Sequence, residues 1–123
     1  GLFPVGGSTV RLQRQISYTN ALEMLLTARG YTATEAKEIG LIGHVVPDGQ
    51  ALAKAMELAD MIAANGPLAV EAILKSVQET AAMSEEDGLK REFEIGWPIF
   101  STNDSKEGPR AFAEKRPPNW TRT

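Results

Sequence analysis

Apolar residues recur at helical spacing through almost the whole chain, and this periodicity constrains the fold more than any other feature. It predicts helices from Ala51 to Ala64, from Pro67 to about Ala82 and from Ser84 to Trp97. On the outer face of the second, Glu71 and Lys75 lie one turn apart and should pair. We expect the apolar faces of the first two helices to be buried; they carry Leu52, Ala55, Met56, Ala59, Ile62 and Ala63, and then Val70, Ile73, Leu74 and Val77.

Capping residues and prolines mark where these helices begin and end. Thr32 followed by Glu35 predicts a capping box, and Ser84 with three acidic residues after it predicts a second capped start. Pro98 should end or bend its helix near Trp97, because proline cannot donate to the preceding turn. Further caps are predicted at Ser8 or Thr9, at Thr19, and at Asp104, the last in competition with a first turn that holds Pro109.

The only candidate for a strand is the β-branched pair Val45-Val46, and it is too short to build a sheet alone. A length of 123 residues suits one small domain or part of a larger one, and 42% hydrophobic residues allow a core. The sequence therefore predicts a mainly α fold, without an internal repeat or a linker.

Composition excludes several functional classes. The chain has no cysteine, so disulfides, thiolate nucleophiles and cysteine redox chemistry are excluded. A net charge of -3 argues against nucleic-acid binding, which depends on clustered Lys and Arg. No apolar run approaches the ~20 residues of a membrane helix, and the start does not resemble a signal peptide. We expect a cytoplasmic chain that binds neither nucleic acid nor membrane.

The chain begins with a glycine-rich turn, Gly1 to Gly7, that runs into a helix without an initiator Met, so we expect further sequence upstream. This turn is not a nucleotide loop, because the Gly-Lys-Ser/Thr ending of a P-loop is absent. His44 has no second ligand at useful spacing, so no metal site is predicted. Glu85, Glu86 and Asp87 are explained as an acidic helix start rather than as catalytic groups.

The string Gly1–Leu12 resembles the segment that crosses the active site in the crotonase superfamily of enoyl-CoA hydratases and isomerases. Each string that carries this resemblance is weak alone, but together and in order they are specific for the superfamily. They do not separate hydratases from isomerases, dehalogenases or decarboxylases. The further matching strings are Ala21–Thr27, Thr34–Pro47, Gly66–Val70 with Lys75, and the tail Ser101–Arg116.

This resemblance implies the C-terminal helical part of the ClpP/crotonase fold, with the ββα-spiral core absent from the chain. Residues 1–123 then form a single C-terminal helical region. Residues 1–47 would end the core domain and carry a turn of the acyl pocket, and residues 48–123 would supply helices of the trimerisation type. The intact protein is expected to be a homo-oligomer, a trimer or a hexamer.

The resemblance also implies an enzyme that acts on acyl-CoA thioesters, with coenzyme A as part of the substrate and no separate cofactor. The paired glutamates and the oxyanion hole that hydrate 2-enoyl-CoA lie upstream in the family, so no catalytic residue is assigned here and the chain alone should be inert. Substrate-binding roles fall on Pro4, Val5 and Gly6 in the turn, and on Lys115, which would reach the phosphates of coenzyme A.

Val5 departs from the family pattern, because hydratases of the family have a glycine there. A β-branched residue resists positive φ and could narrow the pocket, so an isomerase remains an alternative to a hydratase. The glycines could also serve helix packing alone, and Lys115 could be a solvated helix end facing the helix dipole. A further alternative is an assembly module whose helices associate through their apolar faces. RNA binding has no support in the acidic composition.

Overall fold

The computed structural model describes all residues from Gly1 to Thr123, and they form helices without a strand. The predicted mainly α fold is confirmed, whereas the strand at Val45-Val46 is wrong: these residues have no partner strand to bond their backbone groups. No helix combines the length and the hydropathy that a membrane crossing needs. The elements are α1 (Ser8–Gln15), α2 (Tyr18–Thr27), α3 (Ala33–Glu38), α4 (Ala51–Ala63), α5 (Pro67–Thr80), α6 (Glu85–Gly96), a 3₁₀ helix (Trp97–Ser101) and α7 (Asn103–Ala113).

The chain divides into two compact units, Gly1–Lys54 and Ala55–Thr123. In the first unit α1 packs on α2, and in the second α5 packs on α6. The sequence-based assignment of residues 1–47 and 48–123 to parts of a larger fold stays a prediction.

The first unit is built around a few small or branched buried side chains, Ile16, Ala21 and Ala36. The side-chain amide of Gln15 donates to the Leu41 carbonyl at 2.7 Å, which ties the end of α1 to the segment after α3. The capping box predicted at α3 is confirmed, with both Thr32–Glu35 bonds formed.

The predicted caps of α1 and α2 are wrong by one or two residues. Gly7, with φ of 106°, precedes α1 in place of Ser8 or Thr9. Ser17 caps α2 by accepting the Asn20 N–H at 3.3 Å, in place of Thr19. Tight positive-φ glycines and an earlier serine therefore set the starts of both helices.

In the second unit the predicted signals at α5 and α6 are confirmed. Pro67 occupies the first turn of α5, and the Ser84 hydroxyl accepts the Asp87 N–H at 3.2 Å at the start of α6. Pro98 ends α6 at Gly96 and converts the chain to a 3₁₀ helix.

The predicted inward faces of α4 and α5 are exposed. Leu52 and Met56 of α4 are 73% and 54% exposed, and Ile73 and Val77 of α5 are 62% and 65% exposed. Only Val70 in these two sets is half-buried. The periodicity correctly placed the apolar residues on one face of each helix, but these residues do not cover one another within the 123-residue chain.

The start of α7 is neither of the predicted alternatives. Thr102 is the cap and accepts the Ser105 N–H at 3.1 Å, so Pro109 lies inside the helix. Asp104 is buried and accepts bonds from a segment 17 and 18 residues further along. The predicted Glu71–Lys75 pair is also wrong, because Glu71 pairs with Arg122 at 2.8 Å.

Candidate functional site

In the glycine-rich turn the positions with positive φ are glycines, and Val5 is not one of them. The Val5 N–H donates to the Phe3 carbonyl at 2.9 Å, which closes a three-residue turn around Pro4. Within the turn, positive φ occurs only at Gly6 and Gly7, at 100° and 106°, where no Cβ opposes it. The Val5 side chain is 82% exposed, so the turn accommodates the residue that departs from the family pattern.

Beside this turn, within the first unit, lies an apolar groove of about 420 Å³. Pro4 lines it, whereas Val5 and Gly6 do not. Its polar side chains are those of Thr9, Gln13 and Tyr18, and neither an acidic residue nor a histidine is present in its wall. The groove can hold an apolar chain but offers no carboxylate for proton transfer. The full lining is Leu2, Phe3, Pro4, Thr9, Gln13, Tyr18, Ala21, Leu22, Leu25 and Leu26.

Lys115, in the second unit, lies in the turn that ends α7. Its N–H donates to the Phe112 carbonyl at 3.2 Å, and the Arg116 N–H donates to the Ala111 carbonyl at 3.1 Å. This pair of bonds is a Schellman motif, in which the left-handed position is normally glycine. Lys115 occupies that position with φ of 53°, and its exposed side chain forms neither a hydrogen bond nor an ion pair.

The residues around Lys115 are, in contrast, tightly paired. Arg116 binds both carboxylate oxygens of Glu107, with Nη1–Oε1 at 2.6 Å and Nη2–Oε2 at 3.0 Å. Glu114 bridges Arg116 and Arg110, at 2.6 Å and 2.9 Å from their Nε atoms. The bond from Arg116, with one from the Asn119 N–H, lowers the pKa of Glu107 to about 2, and the pKa of Arg116 is raised in turn. These four side chains form a charged network around the turn.

The segment after this turn, Pro117–Thr123, is anchored back onto the second unit. The Asp104 carboxylate accepts the N–H of Thr121 at 2.7 Å and that of Arg122 at 3.0 Å. The Trp120 indole donates to the Ala64 carbonyl at 2.9 Å. A Cβ on Gly108 would lie 3.4 Å from the Trp120 ring, so the ring packs directly over this glycine.

The sequence motif predicts a role for Lys115, but it does not indicate the ion pairs and the returning segment around it. Glu107 and Arg116 lie nine residues apart, and Asp104 and Thr121 lie seventeen apart, so no helical or turn spacing links them. The only signal was the Glu-Lys-Arg string itself, in which a free lysine stands between two residues able to pair.

These features define the C-terminal, helical part of a crotonase fold. They are the set of helices, the glycine turn beside an apolar groove, and the lysine turn after the last helix. The chain belongs to the enoyl-CoA hydratase/isomerase family, whose model matches residues 1–123. The family resemblance drawn from the motifs is thereby confirmed.

Known proteins similar to the chain support this assignment. Enoyl-CoA hydratase EchA19 of Mycobacterium tuberculosis is 65% identical over 119 residues, which are 97% of this chain and 45% of that protein. A putative enoyl-CoA hydratase/isomerase structure from Mycobacterium abscessus aligns with a TM-score of 0.94 at 47% identity, over 100% of this chain and 50% of that one. The Bacillus anthracis enoyl-CoA hydratase structure aligns with a TM-score of 0.96 at 36% identity, over 100% and 48%. The chain thus spans about half the length of these relatives.

Proposed function

We propose that the chain supplies acyl-thioester-binding elements to an enzyme that hydrates 2-enoyl-CoA. The observation that carries this proposal is the 65% identity to an enoyl-CoA hydratase over nearly the whole chain. The apolar groove beside the glycine turn is suited to an acyl chain, and the unpaired ammonium of Lys115 is suited to a phosphate of coenzyme A.

The catalytic carboxylates and the oxyanion hole belong, in this proposal, to a part of the enzyme outside these 123 residues. Hydration needs carboxylates that deliver water and N–H donors that stabilise the developing oxyanion. The wall of the groove contains no acidic residue. The Val5 N–H, in the turn to which the resemblance gives a substrate-binding role, donates to the Phe3 carbonyl, so it could bind a substrate or a water only by sharing or giving up that bond.

An experiment with a chimeric enzyme tests the proposal. The chain is joined to the preceding half of EchA19 from M. tuberculosis, and loss of the conjugated thioester absorbance of a short 2-enoyl-CoA is followed. We expect hydration by the chimera and none by the 123-residue chain alone.

Turnover by the chain alone would contradict the placement of the catalytic groups. A folded chimera that isomerises a 3-enoyl-CoA but does not hydrate a 2-enoyl-CoA would show that the isomerase alternative is correct. A Val5→Gly chimera sharpens this comparison, because it restores the glycine of the hydratases without changing the groove lining. We expect it to hydrate at least as fast as the unsubstituted chimera.

Association is a second candidate function, and one feature of the second unit favours it. Phe93, Trp97 and Phe100 form an aromatic ladder with ring centroids 5.0 Å and 5.7 Å apart. All three are exposed, by 59%, 60% and 72%. Exposed apolar patches of this kind mark association surfaces, so we propose that copies of the protein cover the ladder in a homo-oligomer.

Sedimentation tests this second candidate. We expect an oligomer for the unsubstituted chain and a shift toward monomer in Trp97→Glu. Phe112→Glu is the control, because Phe112 is an aromatic outside the ladder and is even more exposed, at 88%. A compact monomer for the unsubstituted chain would contradict the candidate.

A further inference from the structure

Of the four charged side chains at the end of α7, three form ion pairs and one does not. Arg110, Glu114 and Arg116 are joined by ion pairs of 2.6 Å and 2.9 Å, whereas Lys115, between Glu114 and Arg116, has none. A lysine left out of such a network is available to an anionic ligand. The paired residues therefore stabilise the turn, and Lys115 is left able to bind a ligand.

Lys115 is also held in a conformation that it does not favour. Left-handed φ brings the Cβ of any residue except glycine close to its own backbone, which disfavours this conformation for lysine. Backbone strain of this kind persists only where surrounding bonds determine it, and it is common at binding sites. Here the strain falls on the residue whose side chain is unpaired.

Glu107 and Arg116 supply the surrounding bonds. The main chain of Arg116 is fixed by its bond to Ala111, and its guanidinium is fixed by both oxygens of Glu107. A bidentate pair restrains orientation as well as distance. Glu107 also accepts the Asn119 N–H at 2.8 Å, so one carboxylate holds both the residue after Lys115 and the segment that follows.

We propose that Glu107 and Arg116 are positioning residues that hold Lys115 in its left-handed conformation and so direct its ammonium toward the phosphates of coenzyme A. This inference deepens the proposed function and depends on its Lys115–phosphate contact. Glu107 and Arg116 do not touch the ligand; they act through the backbone of the turn. Replacement of either one should therefore weaken binding only while Lys115 is present.

The test measures the Kd of coenzyme A for the chain and for Lys115→Ala, Glu107→Gln, Arg116→Lys and the double variant Lys115→Ala/Glu107→Gln. We expect about a tenfold loss in Lys115→Ala, as for one charge-assisted contact. Glu107→Gln and Arg116→Lys should lose about threefold or more, since the first removes the charge and the second removes the fork. The double variant should bind no more weakly than Lys115→Ala alone, as expected for coupled residues.

Two further measurements separate positioning from general loosening. The HN–Hα coupling of Lys115 reports its φ, and we expect it to move toward the right-handed range in Glu107→Gln. Trp120→Phe is the matched control: it removes the bond to Ala64 and leaves the ion pairs, so Kd and coupling should stay unchanged.

The outcomes distinguish the inference from the function on which it depends. Absence of coenzyme A binding, or an unchanged Kd in Lys115→Ala, contradicts the proposed contact and the inference with it. A weakened Lys115→Ala beside an unchanged Glu107→Gln contradicts the inference alone. Additive losses in the double variant, or an unchanged Lys115 coupling, also contradict it.

Discussion

Two helices of this chain, α3 in the first unit and α7 in the second, end in the same backbone motif but with different residues at its critical position. After α3 the Gly40 N–H donates to Lys37 at 3.0 Å and the Leu41 N–H donates to Ala36 at 2.8 Å. Gly40 adopts φ of 79°, where glycine is unstrained. After α7 the same place is taken by Lys115. The second turn therefore keeps a side chain where the first has none.

The contacts that surround the two turns also differ. The α3 turn is closed by its own backbone bonds and by one bond from outside the helix, which the Gln15 side chain donates to the Leu41 carbonyl. The α7 turn is held by Glu107 and by a following segment that returns to Asp104. The glycine turn carries no ion pair, whereas the lysine in the same conformation is accompanied by ion pairs from elsewhere on its helix.

The largest effect is expected at Asp104, the buried acceptor that anchors the segment after α7. Asp104→Ala removes the buried acceptor of two N–H groups and a hydroxyl, and we expect it to lower the free energy of unfolding by about 2 kcal/mol. Denaturant unfolding measures this change. Asp60→Ala on exposed α4 is the control, with a change within about 0.5 kcal/mol. Equal effects of the two substitutions would show that Asp104 is not an anchor.

The next test gives the α3 turn the residue of the α7 turn. Gly40→Lys places a Cβ at positive φ without ion pairs to hold it, and should destabilise the chain by roughly 1–2 kcal/mol. Gly43→Lys is the matched control, because Gly43 lies in open space without positive φ. If both variants unfolded at the same denaturant concentration, the positive φ of Gly40 would not explain why the turn after α3 has a glycine there.

Acid should loosen the α7 turn through Glu107. The pKa of its carboxyl is lowered from 4.5 to about 2 in the folded chain, chiefly by the bond from Arg116. A lowered folded-state pKa means that this stabilisation is complete above about pH 4.5 and is lost as pH falls toward 2. We expect the free energy of unfolding of the unsubstituted chain to fall more steeply across that range than that of Glu107→Gln. Parallel curves would contradict the role of the pair.

The contrast between the turns also explains what the sequence could predict. The cap at Thr32 with Glu35 and the break at Pro98 were found because their causes lie within one helical turn. The roles of Asp104 and Arg122 were missed because their partners lie 17 or more residues away. Local sequence signals predict where helices begin and end. They do not predict the contacts of a segment that folds back onto an earlier helix.

The same limit applies to burial and to the site. Helical spacing placed Ile73 and Val77 on one face of α5 but could not show that this face stays exposed within the chain. Pro4 was predicted to bind substrate and does line the groove, whereas Val5 and Gly6 lie outside its wall. A motif identifies residues that matter to a family, while their contacts depend on the three-dimensional course of the turn.

Lys115→Gly, measured for stability and for coenzyme A binding together, tests most directly whether the strained conformation of Lys115 serves to place its ammonium on coenzyme A. Glycine removes the strain and the charge, so the free energy of unfolding should rise by about 1 kcal/mol while binding weakens about tenfold. Lys115→Ala should weaken binding equally without the gain in stability, because alanine keeps the strain. A glycine variant that is no more stable, or that binds coenzyme A as tightly as the unsubstituted chain, would contradict the account.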